Sequence, residues 1–146
     1  MLIGHYIQTL NFKGRTALPA RLRYELGDKV IVSRWYEGSI AIFELSRWEK
    51  IVEQATRGVF VLGSARDTER FLLGGAYEVE LDGQGRFVIP PPLRQHAGIV
   101  DATEVVFVGL GSRAEIWSKV RWEEREKYIL ENAEKLIEEV SKNDTR

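Results

Sequence analysis

The chain of 146 residues is 44% hydrophobic and 29% charged, with a formal net charge of −1. Such a length holds one ordinary domain or two very small ones, and no apolar run approaches the ~18–20 residues needed to cross a bilayer. Cysteine is absent, which excludes disulfides and thiolate metal sites, and the opening MLIGHYIQTLNFKG has no basic stretch ahead of an apolar one, so no export signal, no membrane partner and a cytoplasmic compartment are expected.

In chain order, HYIQTL (5–10) reads as a strand, Gly14-Arg15 as a turn, and TALP (16–19) as a second short strand ended by Pro19. ARLRYEL (20–26) is a brief helix that Gly27 closes. KVIVSRWYEGSIAIFE (29–44) is a hairpin with a Glu-Gly turn. Ser46-x-x-Glu49 is a capping box opening a helix whose Trp48, Ile51, Val52 and Ala55 share a face, and SARDTERFLL (64–73) is a further short helix. AYEVELD (76–82), Gly85-Arg86, FVIP (87–90), PPLRQHA (91–97) and Gly98 then repeat the opening series, and EVVFVGLGSRAEIW (104–117) is a second hairpin. After Ser118 a long helix places Trp122, Ile129, Ala133, Leu136 and Val140 on a stripe that Leu130 and Ile137 widen.

This series is a duplication. Sliding the chain by 71 positions aligns Gly4, Tyr6, Leu10, Gly14, Arg15, Pro19, Leu22, Arg23 and Gly27 with identical residues at 75, 77, 81, 85, 86, 90, 93, 94 and 98. The register resumes at an offset of 74, where RWE at 47–49 meets RWE at 121–123. Internal repeats fix the architecture before any other signal does. The expected division is a first repeat over 4–49, a helical connector over 50–74, a second repeat over 75–122, and a C-terminal helix and tail over 123–146, all in one compact unit. A half of roughly 45 residues without metal or disulfide buries too little to fold alone, so the two ββαββ-type halves should interleave about a pseudo-twofold axis and share one core.

The near-zero charge conceals a gradient. Residues 1–36 carry Lys13, Arg15, Arg21, Arg23, Lys29 and Arg34 against only Glu25 and Asp28, whereas residues 123–146 are net acidic. Such asymmetry allows a local anion-binding face. Arginine can contact two phosphate oxygens or the O6 and N7 of guanine in a bidentate manner, and glycine lets a turn approach a groove edge unobstructed. Lys13, Arg15 and Arg86 are the leading candidates for DNA contact; Arg21, Arg23 and Arg94 follow as phosphate contacts near the short helices. The competing reading makes Arg15 and Arg86 structural turn residues paired with an acid four positions earlier, and Arg23 and Arg94 solvated helix arginines.

The doubled Asp-x-x-x-Arg element followed by strand and proline resembles the MraZ family of bacterial transcription factors over essentially the whole chain. The resemblance implies an α+β, mainly β fold: two tandem AbrB-like (SpoVT-type) swapped-hairpin repeats forming an intramolecular pseudo-dimeric β-barrel with flanking helices. It also implies a double-stranded DNA partner at repeated promoter boxes, repression of the protein's own division and cell-wall operon, and a ring-shaped homo-oligomer on the nucleoid. No cofactor is implied. The motif is intact at Asp82-Gly83-Gln84-Gly85-Arg86, but Asn11 replaces the acid in Asn11-Phe12-Lys13-Gly14-Arg15. Asparagine still accepts a turn hydrogen bond but cannot pair with Arg15 as an ion, so Arg15 should be the freer arginine and its turn the stronger phosphate ligand.

Two other classes compete with this one. His5 and His96 occupy unrelated places in the repeat, and neither GLGS nor DGQGR fits a phosphate-binding loop, so an enzyme is not expected. A ring-forming assembly protein without direct DNA function is the stronger alternative. The long C-terminal helix and GVFVLG at 58–63 would serve as its subunit contacts, unless they pack within the monomer.

Overall fold

A computed structural model describes residues 1–100 and 103–144. The first repeat runs β1 (His5–Thr9), β2 (Arg15–Ala17), α1 (Ala20–Leu26), β3 (Lys29–Arg34), β4 (Ile40–Phe43) and α2 (Leu45–Ala55), and α3 (Gly63–Leu72) leads to the second. That repeat runs β5 (Ala76–Glu80), β6 (Arg86–Val88), α4 (Pro91–Ala97), β7 (Glu104–Gly109), β8 (Ala114–Ser118) and α5 (Lys119–Asp144). Pro19 and Pro90 are the N-cap residues of α1 and α4, and the Gly98 N–H closes α4 from a left-handed conformation.

The runs KVIVS and EVVFV are continuous because their strands are covered on both faces. Side chains alternate along a strand, so Val30, Val32, Ile40, Ile42, Val105, Phe107, Ala114 and Ile116 point into one core. That core is closed by Leu18, Leu22, Phe87, Ile89 and Leu93 from the β2, α1, β6 and α4 segments of both repeats. The alternate residues Ile31, Ala41 and Phe43 meet Trp48 of α2 and Leu72 of α3, and Val106, Val108 and Trp117 meet Trp122 of α5. Three layers result, with the sheet in the middle.

Six antiparallel strands lie in the order β1-β7-β8-β4-β3-β5, and β2 pairs with β6 in a separate two-stranded ribbon. Exchanging each strand for its repeat counterpart reverses this order without changing it. The first strand of each repeat therefore pairs with the other repeat's hairpin, and neither half has a sheet of its own. The dyad passes through two cross-strand pairs whose members are repeat equivalents: Thr16 opposite Phe87 in the ribbon, and Ala41 opposite Glu115 in the sheet. Glu115 breaks the symmetry; it is buried, accepting hydrogen bonds from the Arg113 guanidinium at 3.1 Å and from Trp117 Nε1 at 2.9 Å.

Two expectations need correction. The sheet is open, not a barrel: β1 and β5 are its edges and do not pair with each other. Layering above and below buries both faces, so strand-to-strand closure is not needed to exclude water. The capping box also fails. Helix α2 starts at Leu45 directly after extended Glu44, placing Ser46 inside the first turn, and no side chain caps it. In the second repeat Ser118, equivalent to Glu44, does cap, accepting from the Arg121 N–H at 3.2 Å.

Candidate nucleic-acid interface

Each Gly-Arg turn is built around the residue four positions before its arginine. In the first, Asn11 Oδ1 accepts from the backbone N–H of Lys13 and of Arg15, both at 2.9 Å. In the second, Asp82 Oδ1 accepts from Gln84 at 2.8 Å and from Arg86 at 2.9 Å. Amide and carboxylate thus fold the same Asx-type turn. Gly14 and Gly85 sit at φ of 78° and 77°, a left-handed backbone that any Cβ would strain.

The turns are held by the opposite repeat. Ile89 N–H donates to the Gly14 carbonyl and Leu18 N–H to the Gly85 carbonyl, each at 2.9 Å. Arg94 lies over Gly14 so closely that a Cβ there would fall 2.5 Å from its Cζ, and its Nε donates to Ile89 at 3.0 Å. Arg23 lies against Gly85 and donates to the carbonyls of Asp82 at 3.3 Å and Gly83 at 3.1 Å. Arg23 and Arg94 are half-buried braces across the dyad, not solvated helix residues.

Within the ribbon, Thr16 and Phe87 face the core, so their neighbours face out. Arg15 and Arg86 consequently share the exposed face, set diagonally about the dyad, with 44% and 46% of their side chains accessible. One carboxylate serves both: Asp82 Oδ2 accepts from Arg86 Nε at 2.7 Å and from an Arg15 terminal nitrogen at 3.3 Å. The expectation that Asn11 leaves Arg15 freer is therefore corrected. Asn11 has no charge to offer, and the interleaved register brings Asp82 of the other repeat within reach. The Arg86 backbone N–H, followed by the Gln84 N–H and the Arg86 guanidinium, holds the Asp82 carboxyl at about 2, below its ordinary 3.8. It is thus ionised at neutral pH. Two cations share one anion, and the face keeps a net positive charge.

Lys13 is exposed at the first tip, its Nζ 5.7 Å from the centre of the Phe12 ring. Phe12, 72% exposed, is a tip residue that the charge pattern did not single out; an aromatic aligned with Gly83 was the available signal. Arg21 is not gathered with the others. It lines a separate depression of about 290 Å³ with Met1, Ile3, Tyr6, Tyr24 and Glu25.

Fold and site together define a duplicated, interleaved α+β protein whose ribbon presents an arginine from each repeat. The chain belongs to the MraZ family: the model of that family, described as "MraZ protein, putative antitoxin-like", matches it twice, over residues 1–71 and 72–144. A protein of Oenococcus oeni named "Transcriptional regulator MraZ" is 40% identical over 141 residues, covering 97% of each chain. Proteins of the same name from Caldanaerobacter subterraneus subsp. tengcongensis and Heliobacterium modesticaldum are 39% and 37% identical, covering 94% of this chain and 95% and 98% of their own. Among the described residues no helix is long and apolar enough to cross a membrane.

Proposed function

We propose that this protein is a sequence-specific DNA-binding transcriptional regulator that represses its own division and cell-wall operon by occupying tandem promoter repeats as a ring. The single observation that carries the DNA reading is the placement of Arg15 and Arg86 on one exposed face of a dyad-centred two-stranded ribbon. A β-ribbon fits the major groove, where a guanidinium can address guanine O6 and N7 or adjacent phosphates. Lys13 adds a phosphate contact at the first tip, with Phe12 packing beside it. Asn11, Gly14, Asp82 and Gly85 shape the turns, and Arg23 and Arg94 act on DNA through the turns they brace. Arg21 would reach phosphates only at the flank of the ribbon. The relatives' shared name supports the regulatory role, and its place of action is the cytoplasm, on the nucleoid.

One ribbon makes few contacts, so a ring engaging several boxes gains avidity of ~10²–10⁴ when spacing matches geometry. The test is a footprint over the DNA directly upstream of the gene, repeated across a salt series. Regularly spaced protected boxes whose occupancy falls with salt are expected. A protein that assembles but protects no fragment saturably would instead be an assembly protein without DNA function.

A further inference from the structure

The two ribbon tips are the same turn carrying different side chains. In each, the carbonyl of the first residue accepts from a glycine N–H three positions on, Asn11 from Gly14 and Asp82 from Gly85, both at 3.0 Å. Phe12 and Lys13 are therefore the central pair of one β-turn, and Gly83 and Gln84 of the other. The central pair forms the outer bend of the turn.

The second turn is an internal control for the first. It keeps its shape with no side chain at 83, so the turn does not need the Phe12 ring. Nor does the backbone forbid a side chain at the second tip: Gly83 lies outside the left-handed region, and an added Cβ would meet nothing within 4 Å. Phe12 itself is 72% exposed and joins none of the buried clusters among the described residues. Its ring has the exposed Lys13 ammonium beside it, 5.7 Å from the ring centre. Phe87, the other aromatic of the two turn-and-ribbon segments, is buried in the core. A phenyl ring held in water by a turn that Arg94 braces has no packing role, yet little freedom left to lose on contact with a ligand.

Resting on the DNA reading above, we propose that Phe12 is a specificity-determining residue that packs on the C5-methyl group of a thymine in the major groove. That methyl is the apolar feature of the groove, and phenylalanine is among the side chains that meet it. Lys13, next to the ring, neutralises a phosphate while Phe12 takes the base edge. The second tip offers only the hydrogen-bonding Gln84 at its bend. The two ends of a pseudo-symmetric ribbon thus read different features, and the chain sits on its box in one preferred orientation.

The test uses the full chain and the promoter fragment protected upstream of the gene. Deoxyuridine, which lacks only the methyl, replaces each thymidine of the box in turn, in every box. At one position the change should weaken wild-type binding by about fourfold for each box engaged, the worth of one buried methyl group. Phe12→Ala should bind the unmodified fragment at least as weakly and lose its sensitivity to that position, and Phe12→Leu should regain part of both. Gly83→Phe should add a second sensitive thymine on the other side of the box. Positions 12 and 83 are exposed, so all three variants should melt as the wild type does.

A methyl effect that survives Phe12→Ala would overturn the inference and move the contact to another apolar group of the face, such as Val88, 48% exposed. Weaker binding by Phe12→Ala with no methyl effect at any thymine would overturn it in favour of a wedge between base pairs. Specific binding indifferent to both changes would overturn this inference alone. No saturable binding by the wild type would overturn the DNA reading beneath it.

Discussion

Arg15 ion-pairs with Asp82, 67 positions away, at 3.3 Å across the dyad, because the acid its own turn lacks is supplied by the other repeat. Asp82 already holds Arg86 at 2.7 Å, so one carboxylate ties both guanidinium groups to the same face. This cross-tie sets the spacing of the two arginines and limits the charge they show to an approaching polyanion.

Changing the acid count should shift binding in opposite directions. Asn11→Asp gives Arg15 a local partner and removes one net positive charge; Asp82→Asn removes the shared anion. Asn11 already shows that an amide accepts both turn N–H bonds, so the Asp82→Asn turn should keep its shape. In titrations on non-specific duplex, Asn11→Asp should weaken binding and flatten the dependence of log affinity on log salt. Asp82→Asn should steepen it, by about 0.9 for each additional phosphate neutralised. Shifts of the same sign in both variants would show that the cross-tie does not govern the face.

Acid titration isolates the same carboxylate. Its folded value of about 2 lies below the ordinary 3.8, so its stabilising contribution is complete above the ordinary value and is lost as pH falls through the depressed one. The difference in urea midpoint between wild type and Asp82→Asn should be constant near neutrality, shrink from about pH 4 downward and vanish only below about pH 2. A difference that persists in stronger acid would assign the stabilisation to something other than the charge.

The braces should behave differently from the ribbon arginines. Arg23→Ala and Arg94→Ala each remove a guanidinium that satisfies backbone carbonyls, at an expected cost of about 1–2 kcal/mol for such half-buried, charge-assisted bonds. Their melting temperatures should fall while the salt slope of DNA binding stays near the wild-type value. Lysine at either position restores the charge but not the planar fork, and should rescue only part of the stability. A wild-type melting temperature with a flattened slope would mark these residues as phosphate ligands instead.

The parts legible in the sequence were those with local or periodic causes. Paired glycines beside arginines announced two turns, apolar runs in 29–34 and 104–109 announced buried strands, and the 71-residue offset announced the dyad. What escaped depends on register between distant segments. No local pattern says that Asp82 will meet Arg15, or that Arg94 will lie over Gly14. Ser46-x-x-Glu49 misled because the signal assumes a loop before the helix, whereas a single residue, Glu44, separates β4 from α2. The barrel was what the family resemblance implied; alternation along the strands shows which side chains are buried but not whether the outermost strands, β1 and β5, meet. The α5 stripe was visible, but periodicity does not say what covers it.

The most direct test of the central claim is the salt slope of binding to promoter DNA for the wild type, Arg15→Ala and Arg86→Ala, measured side by side. If the ribbon face is the DNA interface, each substitution should weaken binding at every salt concentration and make the slope shallower by about 0.9 for each phosphate left un-neutralised. Wild-type affinity and slope in both variants, with the fold intact, would contradict it.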